Sequence, residues 1–291
     1  MTIVIGHDGS DSGDDAAALG AQISGSTGED LVVVAVYPQE NPIGMGRVDA
    51  EWVGYVREHA EEVSACARRF LDGRDVAAEY RVVGSSSAAH GLDDVASETG
   101  ASMIVVGSAH KGARRRISTG STGERLLHGA ICPVAVAPRG WRERPSRDGV
   151  KRIGVAYLDA PEARVALQVA AGLVERTGAA LTLYTVVAPR AEIFAPVTGR
   201  DGEEAFMAAV REAARAALDK ALASLPFEAA DELLEGDVVD ELAALDDHEV
   251  DLLVCGSRGY GPVRRVLLGG VSRKLIRRAA CPLVVVPRGA R

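Results

Sequence analysis

The sequence predicts an α/β protein built from two copies of one domain, each a five-stranded parallel sheet with helices on both faces. Three observations carry that prediction. The first is internal repetition. The segment "GSAHKGARRRISTGSTGERLLHGAICPVAVAPRG" (107–140) aligns without a gap with "GSRGYGPVRRVLLGGVSRKLIRRAACPLVVVPRG" (256–289) at an offset of 149 in a chain of 291 residues. Glycines coincide at Gly107/Gly256, Gly112/Gly261 and Gly120/Gly269, and Cys132–Pro133 meets Cys281–Pro282. An offset of that size is a domain length rather than a solenoid period. The second is a set of continuous Val-, Ile- and Leu-rich runs at matching places, the pattern of strands buried on both faces. The third is the helix-like segment between successive runs, and strict alternation of this kind builds a parallel sheet.

Each half then reads β-α-β-α-β-α-β-α-β. "TIVIGH" faces "RIGVAY" as first strand. The helices after it are "DDAAALGAQI" and "PEARVALQVAAGLVERT", the latter with Pro161 suited to a first helical turn. "DLVVVAVY" faces "ALTLYTVV" as second strand. Long amphipathic helices follow, "DAEWVGYVREHAEEVSACARRFL" and "GEEAFMAAVREAARAALDKALASL", whose apolar positions recur at helical spacing and cover the sheet; Trp52 and Tyr55 are expected to pack there. After the third strand, "SSSAAHG" (85–91) reads as a loop and helix cap rather than a Ser/His nucleophile, because its counterpart Glu235-Gly236-Asp237 has no such residues. "SMIVVGS" faces "DLLVCGS", and "CPVAVAP" faces "CPLVVVP", as fourth and fifth strands. Domains are expected over 1–144 and 150–291. The polar stretch "RGWRERPSRDGV" (Arg139–Val150) is expected to link them. The short apolar fifth strands, each last at a sheet edge, are expected to meet as a pseudo-twofold pair within the chain.

Composition narrows the partners. A net charge of −8 argues against general binding of nucleic acid or anionic membrane. The N-terminal "MTIVIGHDGS" enters a strand at once, with no basic segment or cleavage site, and "LVVVAVY" is far short of a membrane span. The expected location is the cytoplasm, and the four cysteines, without CxxC spacing, read as buried free thiols.

In open parallel sheets ligands bind beyond the carboxyl ends of the strands, where strand order reverses. Two loops in each half lie there. One follows the first strand, "GHDGSDS" or "AYLDAPE"; the other is the glycine-rich loop after the fourth strand, which ends at a helix start favourable to anions. Gly256 is expected to let the chain leave its strand sharply, and Gly259 to leave room for a ligand. Neither glycine loop is a P-loop, since Ala113–Arg114 and Pro262–Val263 stand where Lys-Ser/Thr is required. His7 and Asp8 have no further ligand at metal spacing, so no metal site is expected. Arg114–Arg116 and Arg264–Arg265 read equally as phosphate contacts or as a solvated face, whereas Arg273, Lys274, Arg277 and Arg278 read as a solvated helix face.

The spacing Gly256-x2-Gly259-x9-Gly269 resembles the ATP-binding motif of the universal stress protein family, and the resemblance spans the whole chain twice. It implies a Rossmann-like, adenine nucleotide α-hydrolase-like fold with strand order 3-2-1-4-5 in each half. It also implies ATP as ligand, compatible with Mg2+. In the first half it points to Asp8, Gly9 and Ser10 at the adenine turn, to Val36, and to Gly107, His110, Gly120, Ser121 and Thr122 at the phosphates. His110 stands where the second motif glycine is expected, and Thr122–Gly123 replaces a Val-Ser/Thr pair. In the second half it points to Gly256, Arg258, Gly259, Gly269, Gly270, Val271 and Ser272. There Gly270 replaces a hydroxyl residue, and "DGS" has become Leu158-Asp159-Ala160. Each half carries what the other lacks, and the balance falls on the first half as the stronger site, with the second as an anion site. The resemblance implies an adenine-nucleotide-binding regulatory protein of the stress response, with no catalytic residue and no turnover chemistry of its own. The alternatives are a degenerate dimerising scaffold and a slow ATPase; an additional homodimer contact stays open.

Overall fold

The structure is a computed structural model. It describes residues 1–39, 50–109, 117, 120–144, 149–188, 191–246, 248–257 and 270–287, with backbone alone for 50–51, 191–201 and 203.

The first half runs β1 (Thr2–Gly6), α1 (Asp11–Thr27), β2 (Asp30–Pro38), α2 (Ala50–Asp72), β3 (Glu79–Ser85), α3 (Ala88–Thr99), β4 (Met103–Gly107), α4 (Ser121–Gly129) and β5 (Val134–Ala137). The second runs β6 (Arg152–Ala156), α5 (Pro161–Thr177), β7 (Ala180–Val187), α6 (Ala191–Leu222), β8 (Ala230–Glu235), α7 (Val238–Ala244), β9 (Leu252–Gly256), α8 (Gly270–Leu275) and β10 (Leu283–Val286). Within each half all strand pairs are parallel. The strands form one ten-stranded sheet in the order β3-β2-β1-β4-β5-β10-β9-β6-β7-β8, so each half has the 3-2-1-4-5 order.

The two halves join where β5 pairs antiparallel with β10, with Val134 opposite Val285, Ala135 opposite Val284 and Val136 opposite Leu283. Both strands are buried throughout, as the apolar fifth strands predict. Each hydrophobic layer therefore runs unbroken across the seam. One face gathers Ile3, Ile5 and Leu19 with Ile153, Leu173 and Leu181. The other gathers Val4, Leu92 and Leu126 with Leu253, Leu275 and Leu283. The outer strands β3 and β8 carry the polar residues Glu79, Arg81, Asp231 and Glu232, which suit exposed edges.

Local chemistry sets the helix ends. Ser10 caps α1, its side chain accepting from the Ser12 amide at 3.2 Å, and Ser87 caps α3 by accepting from the His90 amide at 3.2 Å. Pro161 opens α5 as expected. Three expectations need correction. Tyr55 does not pack, its surface being 68% exposed, because it lies on the outward face of α2. Cys66, also on α2, is only half-buried, unlike Cys132, Cys255 and Cys281. The segment after Arg139 is not a free polar linker. Trp141 is buried in a 3₁₀ turn (Trp141–Glu143), and the buried carboxylate of Asp15 on α1 accepts the Gly140 amide at 2.8 Å and the Arg142 amide at 2.9 Å. Burial pushes the Asp15 carboxyl up while these donors pull it down. Residues 145–148 lie outside the described residues.

Candidate functional site

A cavity of about 400 Å³ opens at the carboxyl ends of β1, β2 and β4. It lies at the switch point between β1 and β4, where neighbouring connections leave on opposite faces of the sheet. Its volume lies within the range of small-ligand sites. Asp8 enters from the turn after β1, Val36 from the end of β2, Gly107 from the end of β4, and Gly120, Ser121 and Thr122 from the start of α4. The sequence separates these residues by more than a hundred positions; strand order brings them to one mouth.

Asp8 is exposed, and its Oδ1 accepts from the Ser10 amide at 3.1 Å and from the Ser10 hydroxyl. Among the described residues its Oδ2 takes no hydrogen bond, so one carboxylate oxygen is available to a donor in the cavity. Gly9 and Ser10 shape this turn rather than line the cavity. Gly9 has φ +78°, a left-handed backbone, and Ser10 is the helix cap.

At the opposite end, α4 starts at Gly120 with extended backbone and no side-chain cap. The amides of Ser121, Thr122 and Gly123 are the first of the helix and have no intrahelical acceptor, and the helix dipole adds to their attraction for an anion. His110 lies outside the described residues.

The cavity has walls that the sequence reading missed. Val56, Ala60 and Val63 face it from α2, together with His59, and Tyr37 and Pro38 extend the end of β2. The spacing of Val56, Ala60 and Val63 follows one helix face, a signal read only as sheet cover. His7 also lines the cavity, with a side chain 1% exposed. Its Nδ1 accepts from the Gly9 amide at 3.1 Å, which places the ring proton on Nε2, donated to Asp14 Oδ1 at 3.1 Å. Both nitrogens are thus used within the chain. Among the described residues no group of three or more His, Cys, Asp or Glu side chains could hold a metal ion.

Comparison with known proteins adds the family. The sequence profile of the universal stress protein family matches residues 1–138 and again residues 149–287. The chain belongs to the universal stress protein family. A universal stress protein of Mycobacterium tuberculosis is 30% identical over 295 residues, covering 99% of this chain and all of the relative. One from Mycobacterium bovis matches equally. Among solved structures, a universal stress protein from Archaeoglobus fulgidus shares the fold at a TM-score of 0.66 and 21% identity, covering 99% of this chain and 98% of the other. A second, from Pseudomonas aeruginosa, does so at 0.62 and 15%, covering 99% and 93%.

The second universal stress protein domain arranges the corresponding residues differently. Asp159 is held by Arg164, with Nη2 at 2.6 Å and Nε at 3.0 Å, and this guanidinium keeps its carboxyl below the usual carboxylate range. Tyr157 stands where His7 does in the first domain. Gly270 starts α8, Val271 is half-buried, and Ser272 is buried with its hydroxyl donating to the Gly256 carbonyl at 3.0 Å. Gly256 is not a turn glycine as the sequence reading expects. It is absent from the positive-φ positions, and a Cβ there would stand 2.5 Å from the Glu162 carbonyl oxygen, so close packing of α5 excludes a side chain. Arg258, Gly259 and Gly269 lie outside the described residues, and no helix among the described ones is long and apolar enough to cross a membrane.

Proposed function

We propose that the first domain binds an adenine nucleotide, ATP by its motif, and that the chain serves as a cytoplasmic regulatory module of the stress response without turnover chemistry of its own. The observation that carries this reading is the single cavity shared by Asp8, Val36, Gly107, Gly120, Ser121 and Thr122. Its two ends differ in chemistry as a nucleotide requires. Asp8 offers an acceptor to the exocyclic amine of adenine, while Val36, Val56, Ala60 and Val63 offer apolar contact to its faces. The first amides of α4 and the Ser121 and Thr122 hydroxyls offer donors to phosphate. When bound, the nucleotide would supply the base and phosphates that these residues orient and hold. Absence of turnover is favoured by His7, whose ring nitrogens are both committed and so hold no base toward the phosphates.

For the second domain the pairing of Asp159 with Arg164 and of Ser272 with Gly256 favours a scaffold role. We further propose folding units over 1–144 and 150–291, joined through the β5–β10 seam. Calorimetric titration of the full chain with ATP, with a phosphate-release measurement beside it, tests the reading. Binding without release of phosphate supports it; release at a steady rate, or no binding at millimolar ATP, rejects it.

A further inference from the structure

The phosphate end of the first domain's cavity is not held by the first domain alone. Ile117 lies in the glycine loop three residues before Gly120, and its side chain is fully buried. Its amide donates to the carbonyl of Ala279, in the second domain, at 3.1 Å. Ile117 belongs to a core cluster that includes Leu126 and Leu127 of α4 together with Leu275, Ile276 and Ala279 of the second domain. A second cross-domain contact sits on the other side of the α4 start. Arg277 Nη2 donates to Glu124 Oε1 at 3.2 Å. Glu124 is in the first turn of α4, beside the amides that face the cavity, and its negative charge opposes an incoming anion; the Arg277 guanidinium offsets it.

We propose that two groups of the second domain, the Arg277 guanidinium and the Ala279 carbonyl, are positioning contacts for the first domain's ligand, setting the place and charge of its phosphate-binding helix start through Glu124 and Ile117. The inference rests on the nucleotide reading above and adds what the second domain does for it. Ile117 stands three positions before Gly120 in sequence and shares a core cluster with Leu126 and Leu127 of α4, so its anchor bears on where Ser121 and Thr122 stand. The adenine end, built from Asp8, Val36 and α2, is untouched by either contact. Duplication then has a physical use: one copy binds, and the other supplies a fixed buttress across the β5–β10 seam.

This separation of ends gives the test. The full-length chain is titrated with ATP and with adenosine, which lacks phosphates. In Ile117→Ala, ATP affinity is expected to fall about tenfold, with adenosine affinity within about twofold of the parent. Loss of packing alone would lower both or neither. Ile117→Ala also opens a cavity, so Arg277→Glu provides an exposed-surface variant: the same ATP-specific loss is expected, decreasing as salt rises. Arg278→Glu changes the net charge equally but touches Asp240 rather than Glu124, and is expected to leave the ATP-to-adenosine ratio unchanged. A parallel loss of both ligands, an unchanged ATP affinity in folded variants, or an equal effect of Arg278→Glu overturns the positioning role while leaving the binding reading intact. A parent chain that binds neither ligand overturns both.

Discussion

Gly107 lies directly under the carbonyl of Ser12. A Cβ at Gly107 would collide with that oxygen, as one at Gly256 would with the Glu162 carbonyl in the second domain. In both domains the last residue of the fourth strand is glycine because the first turn of a helix crosses it. Ser12 also donates its hydroxyl to the Ser108 carbonyl at 2.5 Å, locking the same crossing. The motif glycine that reads as a ligand contact therefore has a packing duty first.

That duty separates two glycines of one motif. Gly107→Ala forces backbone against backbone and is expected to cost about 1–3 kcal/mol of stability, as overpacking does; Gly256→Ala is expected to behave alike. Among the described residues Gly120→Ala meets only the Ala109 Cβ, at 3.6 Å, at an unstrained φ of −83°, so its stability loss should stay below about 1 kcal/mol. Its methyl group nevertheless stands at the phosphate end of the cavity and is expected to weaken ATP binding. Thermal denaturation of the three variants, with ATP titration of the Gly120 variant, checks the contrast. Equal melting temperatures for Gly107→Ala and Gly120→Ala would refute it.

The repeat and the Val-rich runs made the strands and the apolar edges that meet in the β5–β10 seam legible, because buried strands follow from composition along a segment; the strand order came from the family resemblance. The two loops at the cavity's ends were legible from their places after the first and fourth strands, and the family resemblance singled out Asp8 and Gly120–Thr122 within them. The α2 wall was not. Val56, Ala60 and Val63 carry the same helical spacing whether the helix covers sheet or ligand, and only tertiary placement distinguishes the two. The anchors Ile117 and Asp15 were invisible for another reason. Each acts on a backbone group far along the chain, Ala279 and Gly140, and no local pattern announces such a partner.

Asp8 tests the adenine end. Its Oδ1 is occupied by Ser10, so the remaining oxygen is the acceptor offered to the ligand. Asp8→Ala removes that acceptor and is expected to reduce ATP affinity at least about tenfold, equivalent to about 1.4 kcal/mol. Asp8→Ala should also narrow the preference for ATP over GTP, whose base presents a carbonyl in place of the amine. Calorimetry with both nucleotides measures the change, and an unaltered ATP affinity would remove Asp8 from the site.

The thiols predict a pH dependence. Burial pushes the Cys132 and Cys255 thiols up to about 12 from an ordinary 9.0. The folded chain thus keeps protons that the unfolded chain releases above about pH 9. Their contribution to stability is complete below pH 9 and is lost as pH rises toward 12. At pH 8 a soluble thiol reagent is expected to modify Cys66 quickly and the three buried cysteines only on unfolding. Chromophore release of one thiol per native chain, rising to four in denaturant, is the expected reading. Rapid native release of two or more would contradict the burial.

The second domain supplies the sharpest stoichiometric test. The family resemblance gives Ser272 to the phosphates, yet its hydroxyl is buried and donates to the Gly256 carbonyl. Asp159, the carboxylate nearest in sequence to the adenine turn, is already paired with Arg164. A ligand would have to displace both interactions. The full chain is therefore expected to bind one ATP, with Asp8→Ala removing most of the signal. Ser272→Ala should lower stability by about 1 kcal/mol through the lost hydrogen bond and leave ATP affinity unchanged. Gly270 still begins a helix, so weak anion binding there is tested separately by comparing the sulfate titration of the parent chain with that of Gly270→Asp, which places a negative charge at that helix start. Two ATP per chain, or an ATP affinity that falls in Ser272→Ala, would show that the second domain binds nucleotide and that its internal pairs open to admit it. One ATP per chain, with the same sulfate response in Gly270→Asp as in the parent, would leave the second domain with the buttress role that Arg277 and Ala279 give it.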